Sequence, residues 1–394
     1  MKEELKIKFL SDLIDFKNGK SIKPSSGDIP IYGGNGILGY SEKYNYNNIL
    51  IIGRVGAYCG SIHYHKEKCW VSDNAIAGEV KSDYSIDYLY YLMKSLNLND
   101  RQVGSSQPLL TQGVLNNISV KIYEFSQTQQ SIAAVLSALD KKIALNKQIN
   151  ARLEEMAKTL YDYWFVQFDF PNTNGKPYKS SGGEMVFDET LKREIPKGWE
   201  VKSLGNLAEI VGGSTPSTAD SDNFCSNGTA WITPYDLSKN QDNKFISHGE
   251  IDVSEKGIKN ASLKKYPTGT VLMSSRAPIG YMAIARNEVT TNQGFKSFIP
   301  NKGFSKEFVF YAVKNSLKSI MQSASGSTFK EVSATTLHSI QAVFPKHELV
   351  EKYTERSKKI FKIQDNLEKQ NHQLTQLRDF LLPMLMNGQV SVAK

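Results

Sequence analysis

The chain has 394 residues, 40% of them hydrophobic and 22% charged, with 48 Lys+Arg against 40 Asp+Glu and a net charge of +8. That length suits two or three domains, and the balance excludes wholesale disorder. No apolar run approaches the ~18 residues of a membrane span. The 3 cysteines cannot build a disulfide framework, so a reducing cytoplasm and no membrane partner are expected.

In chain order, MKEELKIKFLSDLIDF is charged where a secretion signal needs an apolar core, so no such signal is expected. LSDLIDFKNGKS (10–21) leads into ILIIGRVGAYCG (49–60), where ILII reads as a buried strand. SDNA (72–75), IDYLYYLMKS (86–95) and GSSQPLLTQGVLNNISV (104–120) follow, with ISVKI as another strand. The segment 1–124 therefore reads as a compact α+β domain with Gly, Asn and Ser turns. It is nearly neutral, with 14 basic and 13 acidic residues.

Over 125–168 the pattern turns helical. Ile132, Leu139, Leu153 and Leu160 keep a seven-residue register, with Leu136, Ile143, Asn150 and Ala157 at the alternate spacing. This is a coiled-coil seam with Asn146 and Asn150 as polar interruptions. Tyr161, Trp164, Phe165 and Phe168 lie beside it and call for a covering surface. Residues 169–198 read as a linker, and within it FPNTNGKPYKSSGGEM (170–185) is rich in Pro, Gly, Ser and Asn and reads as an exposed linker or loop.

IPKGWE (195–200) then restarts the pattern, and 199–345 repeats the first globe. LGNLAEIVGGST (204–215) matches 10–21, and VLMSSRAPIG (271–280) matches 49–60, with Arg276 on Arg54. TNQG (291–294) matches 72–75 with Asn292 on Asn74, and KEFVFYAVKN (306–315) matches 86–95 with Tyr311 on Tyr91. GSTFKEVSATTLHSIQA (326–342) matches 104–120, placing Leu337 and Ile340 on Leu115 and Ile118. A second helix fills 346–394, its seam formed by Tyr353, Ile360, Leu367, Leu374 and Leu381, with Ile363 and Leu377 beside it. Five matches in one order indicate a duplicated unit of globe followed by long helix.

Catalytic motifs are scarce. Gly19-Lys20-Ser21 ends like a phosphate-binding loop, but Ile14 stands where that loop needs its first glycine. Asp73 with Glu79-Val80-Lys81 imitates a nuclease carboxylate set, a triplet equally expected at an alternating strand end. Cys59, His63, His65 and Cys69 are zinc-ligand types, but the second globe has no counterpart and the histidines alternate along an apparent strand. No Gly-x-Ser-x-Gly, His-Glu-x-x-His or Asn/Asp-Pro-Pro-Tyr/Phe motif occurs, so no catalytic residue and no metal are expected. The alternative is a nuclease or DNA methyltransferase with a divergent site.

What remain are paired polar loops. Lys20, Arg54, Asn74 and Gln107 stand out in the first globe, with Lys17 and Asn18 nearby. Ser214, Thr215, Arg276, Asn292, Gln293, Thr328 and Lys330 stand out in the second, with Ser217 and Thr218. Arg, Asn, Gln and Lys read base edges, and Ser, Thr and Lys hold phosphates. Surface loops are polar in any protein, so these residues are candidates by type and pairing alone.

IPKGWEVKSLGNLAEIVGGSTPS (195–217), VLMSSRAPIGYMAIA (271–285), TTNQGF (290–295), the helix 127–165 and the tail QLTQLRDFLLPMLMNGQVSV (373–392) together resemble the specificity subunit of type I restriction-modification enzymes. The resemblance covers essentially the whole chain, although the first globe lacks the Pro-x-Gly-Trp-Glu entry. It implies an α+β fold with two similar target recognition domains, each followed by a long helix, and the two helices pairing as an antiparallel coiled coil. Each globe would read one half of a bipartite site in double-stranded DNA. The helices would dock two methyltransferase subunits, and two restriction/translocase subunits would complete the enzyme. S-adenosylmethionine, ATP and Mg²⁺ would bind those partners, with no cofactor on this chain.

Overall fold

A computed structural model describes residues 4–101, 109–276, 278–324 and 330–392. The chain divides into two compact units. One holds the chain up to Leu145 together with the stretch from Asn371 onward, and the other is Asn146–Gln370. Each unit takes one globe and a portion of both long helices.

In the first unit, β1 (Lys6–Phe9), α1 (Leu10–Leu13) and β2 (Ile14–Asn18) lead to β3 (Ile29–Gly33), β4 (Gly36–Ser41), β5 (Tyr46–Gly53), β6 (Ile62–Val71) and β7 (Ala75–Val80). α2 (Ile86–Ser95), α3 (Gln112–Asn116), β8 (Ser119–Ile122) and α4 (Ser126–Tyr161) follow. Six strands form one sheet in the order β2-β7-β5-β6-β3-β4, antiparallel except where β3 runs parallel to β6. The unbroken ILII run has a physical reason: both faces of β5 are covered. Leu50 and Ile52 join the cluster of Leu10, Leu13, Tyr88, Leu92, Ile132 and Leu136, while Ile49 and Ile51 pack with Cys69, Val71 and Ala77. Alternate residues of a strand face opposite sides, so a strand buried on both sides carries no polar alternation.

The second unit begins with the end of α4 and a π-turn over Asp162–Val166. A hairpin of β9 (Met185–Asp188) and β10 (Arg193–Pro196) precedes β11 (Glu200–Ser203), β12 (Glu209–Gly212), β13 (Phe224–Cys225), β14 (Thr229–Ile232), α5 (Pro234–Lys239), β15 (Phe245–Ile246), β16 (Ile251–Val253) and α6 (Glu255–Asn260). Then come β17 (Val271–Met273), β18 (Met282–Ala285), β19 (Val289–Thr291), β20 (Lys296–Ile299), α7 (Lys306–Gln322), α8 (Ala334–Ser339), β21 (Gln341–Phe344) and α9 (His347–Met386). The strands form sheets ordered β12-β20-β17-β18-β15 and β13-β16-β14-β19.

The duplication holds at the level of hydrogen bonds. Leu10 N–H donates to the Ile118 carbonyl at 2.9 Å, and Leu204 N–H to that of Ile340 at 2.9 Å. β1 pairs with β8 as β11 pairs with β21. Ser85 and Ser305 cap α2 and α7, and Thr111 and Ser333 cap α3 and α8, each satisfying a free amide of the first turn. Tyr91 and Tyr311 both donate to carboxylates of α4, Asp140 at 2.7 Å and Glu154 at 2.9 Å.

Two expectations change. The segment read as an exposed loop is exposed over 173–176 and 179–182, but Phe170 and Tyr178 tie it to the core. Phe170 stacks on Tyr178 at 4.6 Å and on Trp199 at 5.1 Å, and the buried Asp169 carboxylate accepts the Ser180 N–H and O–H at 2.7 and 2.6 Å. Tyr161, Trp164, Phe165 and Phe168 likewise need no outside cover, because Phe308, Tyr353 and Trp199 surround them. Composition marks turns, but it does not reveal aromatic side chains folding back.

α4 and α9 pair antiparallel, since partners descend along α9 as they ascend along α4. Arg378 Nη1 reaches Asp140 at 2.8 Å in the first unit. In the second, Asn146 meets Gln370, Asn150 meets Glu368, and Gln364 meets Glu154. On α4 the expected seam is the buried line, with Ile132, Leu136, Ile143, Asn146 and Ala157 inside. On α9 the buried line is Tyr353, Ser357, Phe361, Gln364 and Glu368, while Ile363 and Leu377 are exposed. The polar members Ser357, Gln364 and Glu368 hide this line from a search for apolar periodicity.

Gln364 and Glu368 share one partner, Lys244, just before β15. Its side chain is only 4% exposed and its Nζ lies 2.6 Å from Glu154, 2.7 Å from Gln364 and 3.0 Å from the Tyr311 hydroxyl. The Phe361 ring centroid is 3.9 Å away. Burial pushes Lys244 down to about 8. Burial also opposes the charge of Glu154, but Lys244 and Lys314 hold its carboxyl down to about 2. Glu368 accepts the backbone N–H groups of Lys244 and Phe245 at 2.8 and 3.1 Å and pairs with Arg286 at 2.6 Å. This network fastens the globe to both helices inside the second unit.

Candidate nucleic-acid interface

In the first globe three loops converge. Gly19 N–H donates to the Ala75 carbonyl at 3.0 Å, Lys20 N–H to Val71 at 3.0 Å and Arg54 N–H to Asn74 at 3.0 Å. The end of β2, the turn after β5 and the β6–β7 turn therefore form one surface carrying Lys20, Arg54 and Asn74. Gly19 is required for this approach, because a Cβ there would stand 2.0 Å from the Ser72 carbonyl oxygen. The indole N–H of Trp70 donates to the Lys20 carbonyl at 2.7 Å and pins the crossing.

The second globe builds the same crossing from different residues. Ser214 N–H donates to Thr291 at 3.0 Å, and a Cβ on Gly213 would stand 2.2 Å from the Asn292 carbonyl oxygen. The Trp231 indole donates to the Ser214 carbonyl at 3.2 Å, from another strand than its counterpart in the first globe. The Thr215 hydroxyl donates to Gln293, and Asn292 Oδ1 accepts the Gly294 N–H at 2.9 Å. Ser275 N–H donates to Gly294 at 2.7 Å, which brings Arg276 beside them. Arg276 pairs with Glu331 at 3.1 Å, next to the exposed Lys330. Lys296 shares Glu331, and its burial pushes its pKa below the ordinary value.

The bonding corrects two sequence pairings. Arg54 donates to Asn74, and its carbonyl accepts Leu110 N–H. Ser275 donates to Gly294, and its carbonyl accepts Val332 N–H. The counterpart of Arg54 is thus Ser275, and Arg276 corresponds to Val55, which bridges Leu109 as Arg276 bridges Glu331. Likewise Ser72 N–H meets Tyr32 while Asn292 N–H meets Ile232, so Asn292 corresponds to Ser72, not Asn74. The turn after β5 is one residue longer than the turn after β17. A one-residue slip along a ladder moves a side chain to the other face. Accordingly, Arg54 Nε is buried without a hydrogen-bond partner among the described residues, whereas the Arg276 side chain is 46% exposed. Gln107 and Thr328 lie outside the described residues. The two glycines, the two indoles and Glu331 were not candidates; the Gly-Lys and Gly-Ser dipeptides in matched segments were the available signal.

The catalytic look-alikes have structural partners. Lys17 Nζ pairs with Glu79 at 2.5 Å, and Lys81 Nζ donates to the Ser11 carbonyl at 2.8 Å. Lys20 is followed by chain without helix through Asp28. Cys59 donates to the Arg54 carbonyl, His63 meets the Gly34 carbonyl and His65 the Tyr32 hydroxyl. Burial pushes the Cys69 thiol up to about 12. No cluster of three or more His, Cys, Asp or Glu side chains able to hold a metal occurs among the described residues. None of the described helices is long and apolar enough to cross a membrane.

Residues 2–155 and 196–379 both match the family described as type I restriction modification DNA specificity domain. A type I restriction enzyme MjaIX specificity subunit of Methanocaldococcus jannaschii is 39% identical over 196 residues, 49% of this chain and 45% of the relative. The HindI specificity subunit of Haemophilus influenzae is 27% identical over 332 residues, 72% of this chain and 71% of the relative. The first match thus spans less than half of that relative's length. In fold, the chain resembles the crystal structure of a type I restriction-modification S subunit from M. genitalium with a TM-score of 0.65 at 16% identity, covering 98% of this chain and 96% of that one.

Proposed function

The chain belongs to the type I restriction-modification DNA specificity family, and from that premise we propose that it is the non-catalytic DNA-recognition subunit of such a system. The observation that carries the reading is the glycine crossing built twice. Gly19 and Gly213 let two loops meet in each globe, and the polar side chains displayed there differ: Lys20 and Asn74 in one, Ser214, Thr215, Gln293 and Arg276 in the other. A repeated frame with different side chains suits two different half-sites in double-stranded DNA.

The long helices have a role in the same reading. Leu145, Ile149 and Met156 on α4 and Ile363, Leu377 and Phe380 on α9 are 38–63% exposed, more apolar surface than a helix pair in water needs. They supply the docking faces for methyltransferase subunits, two by analogy with the two repeats, and two restriction/translocase subunits join through them. S-adenosylmethionine, ATP and Mg²⁺ belong to those partners, and the complex works in the cytoplasm.

The test is to map methylated adenines genome-wide with and without this gene. A bipartite motif that loses methylation when the gene is deleted supports the reading. DNA cleavage or methyl transfer by the purified chain alone, with Mg²⁺ or S-adenosylmethionine, contradicts it.

A further inference from the structure

The second globe carries an ion pair where the first carries an apolar pair. Arg276 faces Glu331 across an antiparallel bridge, as Val55 faces Leu109 in the first globe. Val332 N–H donates to the Ser275 carbonyl at 2.9 Å, and Leu110 N–H to that of Arg54 at 2.9 Å. This bonding pattern leaves the facing residues without a backbone bond of their own, the arrangement in which cross-strand side chains come closest. The first globe keeps the bridge with no charge in it, so the frame does not require the ion pair of the second.

Glu331 stands between two cations. One carboxylate oxygen lies 3.1 Å from Arg276 Nε, and the other lies 3.9 Å from Lys296 Nζ. Among the described residues no other carboxylate is within ion-pair distance of either cation. The Arg276 and Glu331 side chains are 46 and 38% exposed, and an ion pair that open adds little to stability. What it does is fix a direction. The carboxylate takes the guanidinium at Nε, and among the described residues neither terminal nitrogen of Arg276 donates a hydrogen bond. The planar end of the side chain is thus anchored at its root and unoccupied at its tip. It stands beside the crossing, because Ser275 N–H donates to the Gly294 carbonyl at 2.7 Å and Asn292 Oδ1 accepts the Gly294 N–H at 2.9 Å.

Two parts of a duplex accept two parallel N–H donors from one arginine, a phosphate and the O6/N7 edge of guanine. The phosphate is a full anion, and the Glu331 carboxylate beside the guanidinium repels it. The guanine edge is neutral and meets no such repulsion. Lys330, exposed and without a carboxylate partner among the described residues, is the better phosphate ligand here. A guanidinium already held in one orientation also loses less freedom on binding. We propose that Arg276 reads a guanine in the half-site of the second globe, and that Glu331 is the residue that positions its guanidinium. The inference rests on the DNA-reading function proposed above.

The test uses the full chain assembled with its methyltransferase partner. It is titrated onto a duplex carrying the methylated motif and onto a scrambled duplex of the same length. Guanines of the motif are replaced one at a time, on either strand, by 7-deazaguanine, which lacks the N7 acceptor. The expected result is one position, in one half-site, where the replacement weakens binding about fivefold. Arg276→Lys keeps the charge but not the fork, and should abolish that sensitivity while leaving the scrambled duplex bound as before. Glu331→Leu installs the side chain that the first globe uses at this bridge, so the thermal midpoint should hold. It should also abolish the sensitivity, with the scrambled duplex bound a few-fold more tightly once the acid is gone. Sensitivity at no guanine, or sensitivity that survives either variant, overturns the proposal and leaves DNA reading intact. Variants that weaken both duplexes alike make Arg276 a phosphate ligand and also overturn it. Failure of the wild-type complex to prefer the motif overturns both proposals.

Discussion

Glu154→Gln is the substitution whose consequences the structure defines most closely. Lys244 and Glu154 shift by similar amounts with opposite effect: the cation is pushed from 10.5 down to about 8, the carboxyl from 4.5 down to about 2. One pKa unit is about 1.4 kcal/mol, so the cost to one partner nearly offsets the gain to the other. The intact pair is therefore close to neutral for stability. Breaking it is different, because Lys244 is left among Phe310, Tyr311 and Phe361 with no carboxylate on its Nζ. The lysine escapes by losing its proton, which at pH 7 costs at most about 5 kcal/mol from an ordinary lysine value, and measured losses for broken buried pairs run at about 3–5 kcal/mol.

The pH dependence has a definite sign. A lysine whose folded pKa is depressed binds fewer protons folded than unfolded, so stability rises with pH between the two values. In the wild type that window opens at about 8. In the variant, with the Glu154 charge gone and the burial unchanged, it opens at a lower pH, so the deficit shrinks as pH rises from 7 to 9. The assay is urea unfolding followed by tryptophan emission. Trp164, Trp199 and Trp231 all lie in the second unit, and Trp70→Phe silences the first. Glu154→Gln with Lys244→Met should recover most of the loss. A single-variant cost below about 1 kcal/mol, a deficit that grows with pH, or no recovery in the double variant would refute the reasoning.

Three further outcomes are expected. Gly213→Ala places a methyl 2.2 Å from two backbone carbonyl oxygens and should cost the second globe about 3 kcal/mol, read as lost hydrogen-exchange protection at Ser214 and Thr291. Arg276→Ala should weaken DNA binding by about 1–3 kcal/mol and relax one base position if the guanidinium leaves Glu331 for a base, or weaken all sequences alike if it takes a phosphate; unchanged binding removes it from the interface. One heptad inserted after Leu145 and one after Gln370 keeps the Asn146–Gln370 pairing in register. If the paired helices set the gap between half-sites, methylation mapping should show it lengthened by up to about three base pairs with the half-sites unchanged.

Much of this architecture is legible in the sequence. Leu10 and Leu204, Ile118 and Ile340, and Tyr91 and Tyr311 pair by eye and pair again in the hydrogen bonding, because core positions and caps leave apolar and Ser/Thr signatures. The loops are less legible. Arg54 and Arg276 look equivalent, but a turn one residue longer separates them, and only the ladder reveals on which face each side chain lies. Trp70 and Trp231 stand on different strands, so no alignment joins them, yet both indoles hold the same carbonyl. Lys244 reads as an ordinary surface lysine, and only the fold brings Glu154, Gln364 and three rings around it.

The central claim is that two separate readers stand on one frame. It is tested most directly by replacing residues 199–345 with the corresponding globe of a family relative, keeping both helices, and mapping methylated adenines in cells that carry the chimera. The account predicts that one half of the bipartite motif changes while the other half and the gap stay as they were. A motif changed in both halves, or in neither, from an active complex would contradict it.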